Sequence, residues 1–150
     1  MKSYAIEDLI AHRDPMILIS RLVSHDESTA FCEVDISDSS LFYQQSNNGV
    51  ATYVGIEYMA QSIAAFAGAK ALENGDAVNI GFLLGSRKYQ TFYPVFQNNT
   101  TYQIYVEQLF QEDSGLSVFD CKISLGDELI AQAKINAFQP DNPEEFLKEQ

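Results

Sequence analysis

Between Ala51 and Ala69 the only side chain charged at neutral pH is Glu57. It sits in VATYVGIEYMAQSIAAFAGAKALEN, Val50–Asn74, where apolar residues cover most of the circumference of a helix. That pattern predicts a helix buried on nearly all sides. Gln61 follows four positions later, on the same face one turn along. A carboxylate in such a setting is costly unless it is paired or has work to do. The work open to it is proton transfer: desolvation favours the protonated form, which can serve as a general acid, and the ionised form can activate water. The plainer alternative is a buried carboxylate paired with Arg13 or Arg87 across an interface.

Few other residues offer chemistry. His12 and His25 are the two histidines. His12 follows a short helix and precedes Pro15 at close range, a place where a side chain often caps backbone. It is the secondary candidate for a base. His25 lies in a turn among acidic neighbours and is expected to face solvent. Arg87 and Lys88 are adjacent cations on a strand; they fit either an anionic carrier or a solvated strand end. Tyr43 and Tyr53 carry hydroxyls, but a tyrosine is a poor base near neutral pH. Phe66, Phe82, Phe92 and Phe96 read as core, with one or two beside a ligand channel. The histidines, Cys32, Cys121 and the scattered carboxylates have no metal-ligand spacing, so no metal is expected. There is no glycine-rich phosphate loop or serine nucleophile elbow, and no cofactor is expected.

The elements that must hold these groups follow from pattern. Ser3 can cap a short helix from Tyr4 to Ala11, ended by His12-Arg13-Asp14-Pro15. Met16–Val23 reads as a first strand and Thr29–Ile36 as a second, with Ala30, Cys32, Val34 and Ile36 on one face. Ser37–Gly49 is polar and reads as a loop whose Asn47 or Asn48 caps the long helix; Gly75 stops it. Ile80–Phe92 is a strand with a bulge expected at Gly85. Thr101–Phe110 alternates with Tyr102, Ile104, Val106 and Phe110 on one face. Ser117–Leu125 does so through Phe119, Cys121, Ile123 and Leu125. Gly126-Asp127 is a two-residue hairpin signal leading into Leu129–Phe138. An apolar helix of this kind needs a sheet that curls about it, and such a sheet leaves an edge that a second copy can pair.

The totals set bounds. The 150 residues suit one domain, 1–150, with 139–150 as a loosely attached tail. At 46% hydrophobic the chain is not disordered. A net charge of −12 argues against nucleic acid and anionic membrane as partners. Two single cysteines read as buried free thiols, and MKSYAIEDLIAHRD lacks the apolar core of a signal sequence. The expected location is the cytoplasm.

Three stretches carry a family resemblance: IAHRDPMILISRLV (Ile10–Val23), VGIEYMAQSIAAFAG (Val54–Gly68) and GFLLGSRKYQTFYPV (Gly81–Val95). With the strand order, they make the chain similar to the hotdog-fold 3-hydroxyacyl-acyl-carrier-protein dehydratases of the FabZ and FabA type. Within these it resembles most the ApeP-like dehydratases of aryl polyene biosynthesis. The resemblance implies an α+β hotdog fold, one long central helix wrapped by a curved antiparallel sheet. It also implies a dimer with its sites at the interface and a tunnel for acyl chains bound to carrier protein or coenzyme A. Glu57 occupies the motif's acidic position in EYMAQ and is the expected catalytic acid. Gln61 matches the motif's glutamine and is expected to position substrate. Backbone N–H groups of Thr52 and Tyr53 are expected to polarise the thioester carbonyl.

The segment that bears the family's catalytic histidine corresponds here to SLFYQQSNNGVATYV, Ser40–Val54, and contains none. Either His12 or a tyrosine replaces the base, or a second dehydratase-like subunit brings it to a mixed dimer. Three functions fit: a 3-hydroxyacyl-thioester dehydratase acting alone or in a mixed complex, a thioesterase in which Glu57 activates water, or a silent partner that binds carrier-linked chains.

Overall fold

A computed structural model describes residues 4–10, 16–76 and 83–138, leaving aside the side chains of residues 83, 84, 86 and 87. The elements are α1 (Ile6–Leu9), β1 (Arg21–His25), β2 (Thr29–Ile36), β3 (Tyr43–Gln44), β4 (Gly49–Ala51), α2 (Gly55–Glu73), β5 (Leu83–Thr91), β6 (Val95–Gln97), β7 (Thr100–Gln111), β8 (Leu116–Leu125) and β9 (Glu128–Phe138). One antiparallel sheet has the order β1-β2-β7-β8-β9-β5, and a small one has the order β3-β4-β6. The α+β architecture is the expected one: a long helix lies against the large sheet.

Alternation explains which face of the sheet receives α2. Ala30, Cys32, Val34 and Ile36 of β2 point inward, as do Tyr102, Ile104 and Val106 of β7. Phe119, Cys121 and Ile123 of β8 and Ala131, Ala133, Ile135 and Ala137 of β9 complete the floor. Tyr58, Met59, Ile63, Ala65, Phe66 and Ala69 of α2 pack on it, with Phe66 edge-on to Phe119 at 5.6 Å. Burying side chains of this size contributes about 1.5–3 kcal/mol each. Both cysteines are buried and free; burial pushes the Cys32 thiol up to about 11. Gly126, at φ +59, turns β8 into β9 through the expected two-residue hairpin.

Several expectations need correction. The helix begins at Gly55 rather than Val50, because Val50 and Ala51 pair with Phe96 and Val95 and Thr52–Val54 form a 3₁₀ turn. Neither Asn47 nor Asn48 caps it: Asn48 takes left-handed backbone at φ 51, and α2 has no side-chain cap. The expected loop over Ser37–Gly49 contains β3 and the first residue of β4. The first strand starts at Arg21, not Met16. The bulge of β5 falls between Arg87 and Gln90, where Lys88 has φ +54, and Gly85 stays in register opposite Asn136. Phe110 is exposed because a register shift after Gln108 reverses its face. Leu125, at the strand end, is also exposed. The short helix runs Ile6–Leu9 with Ala5 at its N-cap and no side-chain cap, rather than from Tyr4 behind Ser3; Ser3 itself and residues 139–150 of the tail lie outside the described residues.

Gly68 is required by packing. A Cβ there would collide with the Leu9 carbonyl oxygen, so α1 can lie on α2 only over a glycine. Gly85 has open space around its missing Cβ. Gly68→Ala is therefore expected to cost about 1–3 kcal/mol by overpacking. Gly85→Ala should be neutral or stabilising by up to about 1 kcal/mol. Urea unfolding of the two variants checks the contrast.

Candidate functional site

The start of α2 is held by one threonine. The Thr52 N–H donates to the Pro94 carbonyl at 3.1 Å, its Oγ1 donates to the Tyr93 carbonyl at 2.7 Å, and its carbonyl accepts from the Tyr89 hydroxyl and from the Gly55 N–H. Thr52 is buried as a result. Its N–H is thus already spent. Of the two donors expected to polarise a carbonyl, the structure withdraws Thr52 and leaves Tyr53, whose side chain is 66% exposed.

From that turn one stripe of α2 faces outward: Tyr53, Ile56, Glu57, Ala60, Ala67 and Ala71. Glu57 is exposed, which corrects the expectation of a helix buried on nearly all sides. Among the described residues it has no hydrogen-bond or ion-pair partner. Exposed aromatics stand in the same part of the fold: Phe92 at 52% and Tyr93 at 43% follow β5, and Tyr93 is tied through Thr52 to the helix start. The hydropathy of the helix is real, but part of its apolar surface is only partly covered by the described residues.

Gln61 goes the other way. It is 3% exposed; its Oε1 accepts from the N–H of Leu18 at 2.8 Å and of Ile19 at 3.4 Å, and its Nε2 donates to the Met16 carbonyl at 2.7 Å. These bonds satisfy backbone groups of the segment that precedes β1. The amide expected to position substrate is occupied by residues 16–19. Glu57 and Gln61 lie one turn apart on neighbouring lines of the helix, yet Gln61 is buried under residues 16–19 while Glu57 is exposed.

His25 corrects another expectation. Its side chain is 5% exposed and its Nε2 lies 2.6 Å from Glu73 Oε1, at the far end of α2. Sixteen residues separate Glu73 from Glu57, about 24 Å of helix at 1.5 Å per residue. His25 therefore cannot act as base beside Glu57. His12 and Arg13 lie outside the described residues, as does Phe82. Tyr43 is tied to Asn48 through its hydroxyl at 2.9 Å. Burial pushes the phenols of Tyr58 and Tyr89 well above their ordinary range, so neither is a base near neutrality.

Further along the helix, a cavity of about 510 Å³ is lined by Ile63, Phe66, Ala67, Ala71, Phe119 and Ala137, with Lys70 and Gln108 among its polar residues. Ala67 lies ten residues past Glu57, about 15 Å along the axis. On the outer face of the sheet, Lys88, Lys122 and Lys134 border a depression of about 480 Å³. Arg87 opposes Lys134 in the strand register. None of these three lysines has an ion-pair partner among the described residues. Among the described residues no group of three or more His, Cys, Asp or Glu could hold a metal, and no helix is long and apolar enough to cross a membrane.

With the geometry in place, comparison with known proteins adds the following. The family model described as ApeP-like, ApeP dehydratase, matches residues 4–148. The solved dehydratase heterocomplex ApeI:P from Xenorhabdus doucetiae contains a chain 23% identical, with TM-score 0.89, covering 98% of this chain and 97% of that one. The uncharacterized protein PH1136 from Pyrococcus horikoshii is 12% identical, with TM-score 0.66 and coverage of 95% and 97%. The sigma28-regulated virulence protein Cj0977 from Campylobacter jejuni is 14% identical, with TM-score 0.60 and the same coverages. No curated protein matches the sequence. These likenesses bear out the hotdog fold.

Two substitutions separate the faces of α2. Gln61→Leu should destabilise the fold by about 2–4 kcal/mol, since it strands buried backbone groups of Met16–Ile19. Glu57→Gln, on the open face, should stay within about 0.5 kcal/mol of the natural protein. Chemical denaturation of both variants tests the assignment.

Proposed function

We propose, from the premise that this chain belongs to the ApeP-like dehydratase family, that it is one subunit of a mixed complex dehydrating 3-hydroxyacyl thioesters. The observation that carries this reading is the position of Glu57. It is the single carboxylate on the opening of α2, it stands exposed and unpartnered among the described residues, and no histidine of the described chain comes near it. Among the described residues, a site built this way has an acid and lacks a base. A second subunit laid over the Tyr53–Ala60 stripe supplies what is missing.

The chemistry then divides between two chains. The partner's base removes the C2 proton of the thioester, and the C2–H electrons become the C2=C3 double bond. The C3–O bond breaks as Glu57 gives its proton to the departing hydroxyl, which leaves as water. The opening of α2, with the positive end of its dipole and the Tyr53 N–H, stabilises the enolate-like oxygen. The chain of the substrate follows the alanines at 60, 67 and 71 toward the cavity beside Phe66 and Phe119. The basic group of Lys88, Lys122 and Lys134, with Arg87 in the same rows, receives an anionic carrier, either an acyl carrier protein or the phosphates of coenzyme A.

The test is intact mass spectrometry of a 3-hydroxyacyl carrier-protein thioester. The chain alone should leave it unchanged, and the chain with a second dehydratase subunit should remove one water. Glu57→Gln in that complex should slow turnover by at least about a hundredfold. Dehydration by the chain alone would restore His12 or a tyrosine as base. Release of the acyl group would make it a thioesterase, and full activity of the Glu57→Gln complex would make this chain a silent partner.

A further inference from the structure

The opening of α2 is tied to an edge strand through the Tyr89 hydroxyl and the Thr52 carbonyl. β5 is an outer strand of the large sheet, and its pairing with β9 slips by one residue between Arg87 and Gln90. Lys88 absorbs the slip in left-handed backbone, φ +54, a conformation that is costly for a lysine and persists where the surrounding structure requires it. A bulge of this kind re-aims the side chain beside it. The side chain re-aimed is Tyr89, which is partly buried against the core and whose hydroxyl donates to the Thr52 carbonyl.

Two further features fit that bond. The first helical residue is Gly55, where an added Cβ would collide with the Tyr89 hydroxyl oxygen and press on Ile123 and Phe96. Thr52 is meanwhile fastened on its other sides to Tyr93 and Pro94, the turn into which β5 runs. The turn Thr52–Val54 is thus held between the strand that precedes Tyr93 and the turn that follows it. Tyr53 and Glu57 ride on that turn and the first coil of α2.

We propose that Tyr89 is a positioning residue: through Thr52 it fixes the opening of α2, and so the placement of Tyr53 and Glu57, from the open edge of the sheet. The functional part of this inference rests on the dehydratase reading. The mechanical part does not. A bulge at Lys88, a phenol at 89 and a glycine at 55 form one unit, and each is unsuited to its place without the others.

Tyr89→Phe removes only the hydroxyl. Amide hydrogen exchange followed by mass spectrometry should show peptides spanning residues 52–57 exchanging about five- to tenfold faster, the loss of one net hydrogen bond, with β7 and β8 unchanged. Unchanged exchange at 52–57, or a uniform rise across the sheet, overturns the proposal. A double-mutant cycle supplies the second measurement. Gly55→Ala should cost less stability in the Tyr89→Phe background than in the natural one, because the oxygen it meets is gone; an equal cost contradicts the contact. In a complex with measurable dehydration, Tyr89→Phe should lower kcat about tenfold with KM within about twofold, and unaltered kcat alongside faster exchange refutes the link to the site. If the natural complex shows no dehydration, the functional reading fails, while the exchange and the cycle still decide whether Tyr89 holds the helix.

Discussion

Burial of one side of α2 in the large sheet is the constraint on which the rest depends. The helix is apolar around most of its surface, and the sheet can cover only part of it. The covered side is fastened at intervals along its length. Tyr89 and Thr52 hold the beginning, Gln61 holds residues 16–19 at the middle, Gly68 lets α1 lie close, and Glu73 meets His25 at the end. Each of these ties is made with the chain's own backbone or side chains. They leave the helix no freedom to rotate, since turning it would strand the Gln61 amide and drive a larger residue against Leu9.

A fixed rotation settles which residues remain outside. Tyr53, Ile56, Glu57 and Ala60 fall on the side that the sheet does not reach, and the aromatic residues after β5 lie beside the same opening. An apolar strip with one carboxylate is a poor surface to leave in water and an unfavourable one to bury unpaired. Both difficulties are met together by the proposed second chain over the strip.

How much of this could be read in the sequence depended on the range of the interactions. Strict alternation made β2 and most of β7 and β8 legible, and the Gly126 hairpin was plain from two residues. The same alternation failed at Phe110, because a bulge shifts its phase and no local residue announces it. Gly85 looked like the bulge, but the slip sits at Lys88, where its reason is a phenol that must reach Thr52 on another element. Glu57 was recognisable as the unusual residue. Its exposure was not, since hydropathy cannot distinguish a helix face buried in its own sheet from one that the sheet does not reach. Gln61 and His25 were misjudged for a related reason: their partners lie 45 and 48 positions away in the chain, and nothing near them points there.

The central claim is that this chain leaves the Glu57 face open and that another subunit closes it. Carbodiimide footprinting of carboxylates, read by mass spectrometry at Glu57, tests it most directly. In the chain alone at low concentration Glu57 should label as readily as an exposed glutamate such as Glu112, and on adding a second dehydratase subunit its labelling should fall at least about tenfold while Glu112 is unchanged. Undiminished labelling of Glu57 in a complex shown by its mass to have formed would place the partner elsewhere and contradict the account.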